Sequence, residues 1–239
     1  MKMQAKKLTA EQIERLYAFT RQHYVEYYDV QTELVDHLAN AIEATWEENP
    51  KLTFDEILHT EFKKFGIFGF MDVVEKRQLA MGKKYNKMVW HYAKGYFRLP
   101  KVVMTAVLAL LYFLVLHTST GYHHLVVLFS IIILFITALW FQFRLLIKNK
   151  KINKATGKKW MLRDTIFNTG VISFFTAPQF LHIIWQISDT AYENTYIQIG
   201  FSCLIILVSV LQYVVLFVIP SRADEHLKAA YPEYALEVS

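Results

Sequence analysis

The chain has 239 residues, 54% of them hydrophobic, and 26 Lys and Arg against 21 Asp and Glu give a formal net charge of +5. A single cysteine, Cys203, excludes a disulfide framework and any CxxC metal or redox pair. The net charge hides a division: residues 1–82 carry fourteen acids and ten Lys/Arg, a net of −4, so the positive excess lies wholly in the remainder.

The N-terminus, MKMQAKKLTAEQ, has charge but no apolar core behind it, so no cleavable signal peptide is expected. Residues 8–97 read as helices. Thr9 with Gln12, and Thr53 with Glu56, have the spacing of capping boxes, in which a hydroxyl and a side chain three residues on satisfy the free N–H groups of a helix start. In TELVDHLANAIEATWEE the positions Leu34, Val35, Leu38, Ala41, Ile42, Thr45 and Trp46 form an apolar stripe of helical period, opposite Glu33, Asp36, Asn40, Glu43 and Glu47. Asn49-Pro50 predicts its end, because proline cannot continue a helix and disfavours helical backbone just before it. The following FDEILHTEFKKF offers Phe54, Ile57, Leu58, Phe62 and Phe65 for burial, and GIFGF reads as a turn. From about Met71 a long helix heads toward a basic segment. Glu33 and His37 have the i, i+4 spacing of two metal ligands, but no second Cys/His group completes a set, so a solvated acidic face is the expectation.

The pattern ELVDHL…IE, then LTFDEIL, then FKKFG, within residues 25–80, resembles the helical prefix domains that precede transmembrane segments in many bacterial proteins. These are the HAAS-like and permease-prefix domains, and the whole is similar to uncharacterised multipass proteins of Bacteroidetes-type bacteria. The resemblance implies a regulatory or interaction module and no catalytic residues. Neither a partner regulator domain nor a permease body is visible in the chain.

Beyond residue 101 lie four uncharged stretches of the length needed to cross a hydrocarbon core, about 20 helical residues: 102–118, 125–143, 165–187 and 196–219. Six positive charges, Lys83 to Lys101, precede the first, and eight, Arg144 to Arg163, lie between the second and third. The loops HTSTGYHH and SDTAYENT contain neither Lys nor Arg. This alternation is the positive-inside pattern and predicts both termini in the cytoplasm. The segment KNKKINKATGKK, with Lys148, Lys150, Lys151, Lys154, Lys158 and Lys159, is accordingly read as an inner loop touching lipid headgroups. No aromatic platform or recognition motif interleaves the lysines, so nucleic acid is not an expected partner. Trp90, Tyr96, Phe97, Trp140 and Trp160 read as an inner interfacial belt, with Tyr122, Trp185, Tyr192 and Tyr196 outside.

Two polar stripes stand out. Asn168, Gln179, His182 and Gln186 share one face of the third stretch, and Gln198, Ser202, Ser209 and Gln212 share one face of the fourth. Polar groups in lipid must find partners, so these stripes are expected to face the bundle interior and each other. Structural glue is the first reading and a substrate or ion path the alternative. His117, His123 and His124, with His182, Asp189 and Glu193, collect on the outer side, but no metal or cofactor is assigned to them. GxSxG, P-loop, GxGxxG and zinc-protease motifs are all lacking.

The expected architecture is all-α: a cytosolic helical domain (1–82), a basic juxtamembrane helix (83–101), a four-helix transmembrane bundle (102–219) and a cytosolic tail (220–239). The expected role is a non-catalytic regulatory or assembly factor of the bacterial inner membrane. It would bind a protein partner through residues 8–80 and contact membrane lipids, with self-association or a hetero-complex left open. The alternative is a subunit of a membrane transport or secretion complex.

Overall fold

The computed structural model describes residues 6–169 and 189–237, and every regular element among them is helical. The helices are α1 (Ala10–Gln22), α2 (Tyr28–Glu48), α3 (Phe54–Lys63), α4 (Met71–Lys94), α5 (Lys101–Thr118), α6 (His123–Thr156), α7 (Met161–Asn168), α8 (Asp189–Tyr192), α9 (Thr195–Tyr213), α10 (Ile219–Ser221), α11 (Ala223–Ala230) and α12 (Pro232–Glu237). A 3₁₀ turn, Gly95–Phe97, follows α4, and a π-helical turn, Val214–Val218, joins α9 to α10. The chain forms two units.

The first unit runs to Lys83 and also takes in Thr156–Leu162. Both capping boxes are formed: Thr9 Oγ1 accepts from the Gln12 N–H and Gln12 Oε1 accepts from the Thr9 N–H, with the same exchange between Thr53 and Glu56. These bonds satisfy donors that the first helical turn leaves without intrahelical partners. The Thr53 donors hold the Glu56 carboxyl below the usual carboxylate range. On α2, Leu34, Val35, Leu38, Ile42 and Trp46 are buried, and they meet Leu16 of α1, Phe54, Ile57 and Leu58 of α3, and Phe70 in one core. The helix ends at Glu48, just before Asn49-Pro50. Trp46 fits this dry site because its Nε1–H donates to the Leu52 carbonyl at 3.0 Å, so no buried donor is stranded.

The turn between α3 and α4 needs its glycines. Gly66 and Gly69 have φ of +78° and +55°, and a Cβ on Gly69 would lie 2.9 Å from Phe62 Cζ. Of the eleven aromatic side chains in residues 8–80, Trp46, Phe54 and Phe70 are buried, Tyr17, Phe19, Tyr27, Phe62 and Phe65 pack against the core, and Tyr28 is half-buried beside Trp160. Tyr24 and Phe68 are the exposed ones.

The second unit comprises Lys84–Ala155 and the chain from Arg163 onward. Three helical stretches in it, Lys101–Thr118, His123–Thr156 and Thr195–Ser221, are long and apolar enough to cross a membrane, which is compatible with a membrane protein. Helices α5 and α9 pack antiparallel: His117, near the end of α5, meets Gln198 at the start of α9, while Tyr96, just before α5, meets Tyr213 at the end of α9. The tail is packed as well. Leu227 and Tyr234 are buried, and the Tyr234 hydroxyl donates to Asp224 and accepts from Arg163, both at 2.7 Å.

Two expectations change. The lysine segment is not a loop along most of its length: α6 continues to Thr156, because nothing between Arg144 and Thr156 breaks a helix, and Gly157, with φ of +66°, follows its end. Trp160 is not an interfacial belt residue but is buried in the first unit, 5.3 Å from the Tyr28 ring. Helix α7 begins at Met161 and enters the apolar stretch 165–187, of which residues 170–187 lie outside the described residues.

Candidate functional site

The polar residues of the apolar helices are placed by those helices' own register. Gln198 and Ser202 lie one turn apart on α9 and both are buried. The Gln198 Nε2 group donates to the Tyr192 carbonyl at 3.0 Å, which fixes the orientation of the amide, since only its NH₂ side can donate. Its Oε1 therefore faces His117 Nδ1, at 3.1 Å, and accepts from it, so the His117 proton sits on Nδ1. Nε2 also faces His123 Nε2 at 3.4 Å, where the imidazole nitrogen accepts. One glutamine thus ties the end of α5, the start of α6 and the turn before α9.

Further along α9, the Ser202 and Ser209 hydroxyls donate to the carbonyls of Gln198 and Ile205 on their own helix. Gln212 Nε2 donates to the Leu134 carbonyl at 3.0 Å and to Thr137 Oγ1 at 3.1 Å, both on α6. The α9 stripe finds its described partners on α5, α6, α8 and α9 itself. Asn168 sits half-buried at the end of α7, and Gln179, His182 and Gln186 lie outside the described residues. Cys203 is exposed and free.

Two polar residues that the sequence did not single out, Gln142 and Asn149, are buried on α6. Gln142 donates to the Phe167 carbonyl at 2.8 Å, and Asn149 donates to Asp164 at 2.9 Å. Their spacing of seven, two helical turns, is the signal that could have marked them, but in a lysine-rich context it reads as solvated surface. Among the described residues no three His, Cys, Asp or Glu side chains converge to hold a metal ion.

The lysine segment divides in two. Lys148, Lys150, Lys151 and Lys154 are exposed on α6, with Lys148 Nζ 5.7 Å from the Phe167 ring. Lys158 and Lys159 belong to the first unit. There the Tyr28 N–H donates to the Lys159 carbonyl at 2.8 Å, and Asp29 accepts from the Met161 N–H at 3.1 Å. Lys159 Nζ reaches Glu26 at 2.9 Å, Lys158 Nζ lies 4.0 Å over the Tyr28 ring, and Met161 enters the core. The Lys159–Glu26 pair is largely solvated and contributes about 0–1 kcal/mol, less than the burial of Trp160 and Met161. Beside this seam is a groove of about 620 Å³ with Tyr17, Arg21, Glu26, Tyr28, Lys158 and Lys159 on its walls. Partial burial pushes the Tyr17 phenol above its ordinary value. No local sequence signal pairs Asp29 with Met161, 132 residues away.

Comparison with family models, with curated proteins and with solved structures finds no match to this chain. The functional reading therefore rests on the sequence pattern and the geometry.

Proposed function

We propose that this is an integral inner-membrane protein with four spans and both termini in the cytoplasm, acting as a non-catalytic regulatory or assembly factor through its N-terminal helical unit. The third span in this reading is the stretch 165–187. The orientation rests on the loop charges, with lysines at 148–159 and none in the two short loops. The similarity to prefix-domain proteins argues in the same direction.

One observation carries the interaction role. The first unit has a filled core, yet the turn between α3 and α4 presents Ile67 at 99% and Phe68 at 70% exposure, with Met71 next to them at 53%. Exposed apolar groups gathered at one turn are the composition of a contact surface rather than of a catalytic pocket. The transport-subunit alternative draws less support, because every described side chain of the α9 stripe has its polar group bonded within this chain.

Two experiments test the reading. In a Cys203→Ser background, cysteines placed at Thr120 and Glu193 should react with an impermeant reagent added outside intact cells, and one at Lys150 should not; the reverse pattern rejects the orientation. Full-length chain carrying Ile67→Asp and Phe68→Ser, purified in mild detergent, should lose the proteins that co-purify with the parent. Unchanged co-purification moves the interaction away from this turn and away from the proposal.

A further inference from the structure

On the second unit, the end of α4, the 3₁₀ turn and the start of α5 form one wall of a pocket of about 280 Å³, and Val218 and Arg222, which follow α9 in the chain, form the other. Four cations line it: Lys94, Arg98, Lys101 and Arg222. No carboxylate does. Glu225, whose charge acts on Arg222, sits on the tail helix outside the lining. Lys94, Arg98 and Lys101 are exposed and form no ion pair among the described residues.

Aromatic rings hold two of the cations in place. The Arg222 guanidinium lies 5.4 Å from the centre of the Tyr92 ring, and Lys101 Nζ lies 4.6 Å from that of Tyr96. These contacts cost the cations none of their charge. Tyr96 continues into an apolar ladder: its ring stands 6.3 Å from Tyr213, which stacks at 5.7 Å on Phe217, both half-exposed on the apolar helix. The position is equally telling, since Lys101 opens one membrane-length helix and Arg222 follows another.

We propose that this pocket binds the phosphate of an anionic phospholipid headgroup, with Lys94, Arg98, Lys101 and Arg222 as its counter-charges and the Tyr96–Tyr213–Phe217 face beneath the acyl chains. Four cations without an acid call for an anion of more than one oxygen, and a phosphodiester offers two that guanidinium and ammonium groups reach from different walls. A free phosphate shares that chemistry but has no use for the apolar ladder, and this selects the lipid. The inference rests on the chain being a membrane protein, and it assigns a site distinct from both the lysines at 148–159 and the proposed protein contact at Ile67 and Phe68.

The test uses the full chain, first recovered from carbonate-washed membranes, a step that reports on membrane insertion separately. Native mass spectrometry in detergent with added phosphatidylglycerol should show one retained lipid per chain, and phosphatidylcholine at the same concentration should not be retained. Arg98→Gln with Arg222→Gln should weaken retention on the order of tenfold or more. Lys94→Gln with Arg98→Gln, which changes only exposed side chains and leaves the Arg222–Tyr92 contact intact, should weaken it in the same direction. Replacing Lys148, Lys150, Lys151 and Lys154 by Gln should leave it unchanged. Equal retention of the two lipids, undiminished retention by the Lys94/Arg98 variant, or displacement of phosphatidylglycerol by equimolar inorganic phosphate would each overturn the assignment.

Discussion

Leu38 and Ile42 on α2 are sealed from solvent, while Leu108 and Leu111 on α5 stand about half exposed. The polar residues run the other way. Glu33, Asp36 and Asn40 of α2 are exposed, whereas Gln198 and Ser202 of α9 are buried to 3% and 1%. Each unit uses the same helical period, yet the first turns its apolar face inward and the second turns it outward. In water the apolar face drives folding. In hydrocarbon that drive is absent, backbone hydrogen bonds must be closed within each helix, and side-chain polar contacts with close packing hold helices together. The outward apolar face of the second unit is compatible with a hydrocarbon surrounding, and the contrast yields opposite mutational sensitivities.

The largest effect should come from emptying the core of the first unit. Trp46→Ala removes a buried indole from the core, and a change of this type costs about 3–5 kcal/mol. Hydrogen exchange of the full chain in detergent should show α1 to α3 losing protection while α5 and α9 keep theirs. Leu108→Ala, on the half-exposed face of α5, should change protection by less than about 0.5 kcal/mol. Comparable losses at both positions would erase the contrast. Trp160→Ala sharpens it: the residue stands between two apolar helices in sequence but should loosen the first turns of α2, where Tyr28 and Asp29 receive the 156–162 segment. Protection at α2 unchanged by this substitution would show the segment to be only resting on the unit.

In the second unit the sensitive residue should be polar. Gln198→Leu removes the bonds to the Tyr192 carbonyl and to His117 and adds no useful apolar contact. Interhelical polar contacts in membranes contribute roughly 0.5–2 kcal/mol each, so a fall of that size in stability toward denaturing detergent is expected. Ser209→Ala, which removes only a bond to its own helix, should change far less. A Gln198 variant as stable as the parent would mean that its bonds are not needed to hold α5, α6 and α9 together.

Much of the first unit is legible in the sequence because local rules decide it. The α2 stripe, both capping boxes and the stop before Pro50 each depend on residues fewer than five positions apart, and all are present in the structure. Long-range choices are not legible in this way. Trp160 has the composition and position of a belt aromatic, and only Asp29, Tyr28 and the space beneath them make it a core residue. The α6 extension through the lysines escapes a reading by charge, which suggests a loop, although lysine tolerates helix well. For the candidate site, the sequence marks Gln198, Ser202, Ser209 and Gln212 as polar positions needing partners. It does not mark which helices supply them, since a stripe fixes a face and not what the face meets. Gln142, Asn149 and Arg222 escape notice because polar residues near a membrane end look alike whether they bond or merely solvate.

The smallest expected effect concerns pH and lies at the tail of the second unit. His226 on α11 accepts from or donates to the Tyr92 hydroxyl across 3.2 Å and packs against its ring at 5.9 Å. Partial burial is the main reason its imidazolium is disfavoured, and Lys84 and Arg222 push the same way while Glu225 opposes them. The pKa of the folded state is therefore below the ordinary histidine value of about 6.5. Between that value and the lower folded one, the unfolded chain takes up a proton that the folded chain resists, so stability is complete above about pH 6.5 and declines as pH falls. Neutral His226 presents an acceptor to Tyr92, and protonation replaces it with a second donor beside two cations. Hydrogen exchange at Ala223–Ala230, followed from pH 8 to pH 5.5 and corrected for the intrinsic exchange rate, should show protection falling on the acid side. His226→Gln, which keeps a hydrogen-bonding group but cannot titrate, should flatten that fall while leaving the first unit's profile as it was. An identical acid slope in the variant would assign the effect to other groups.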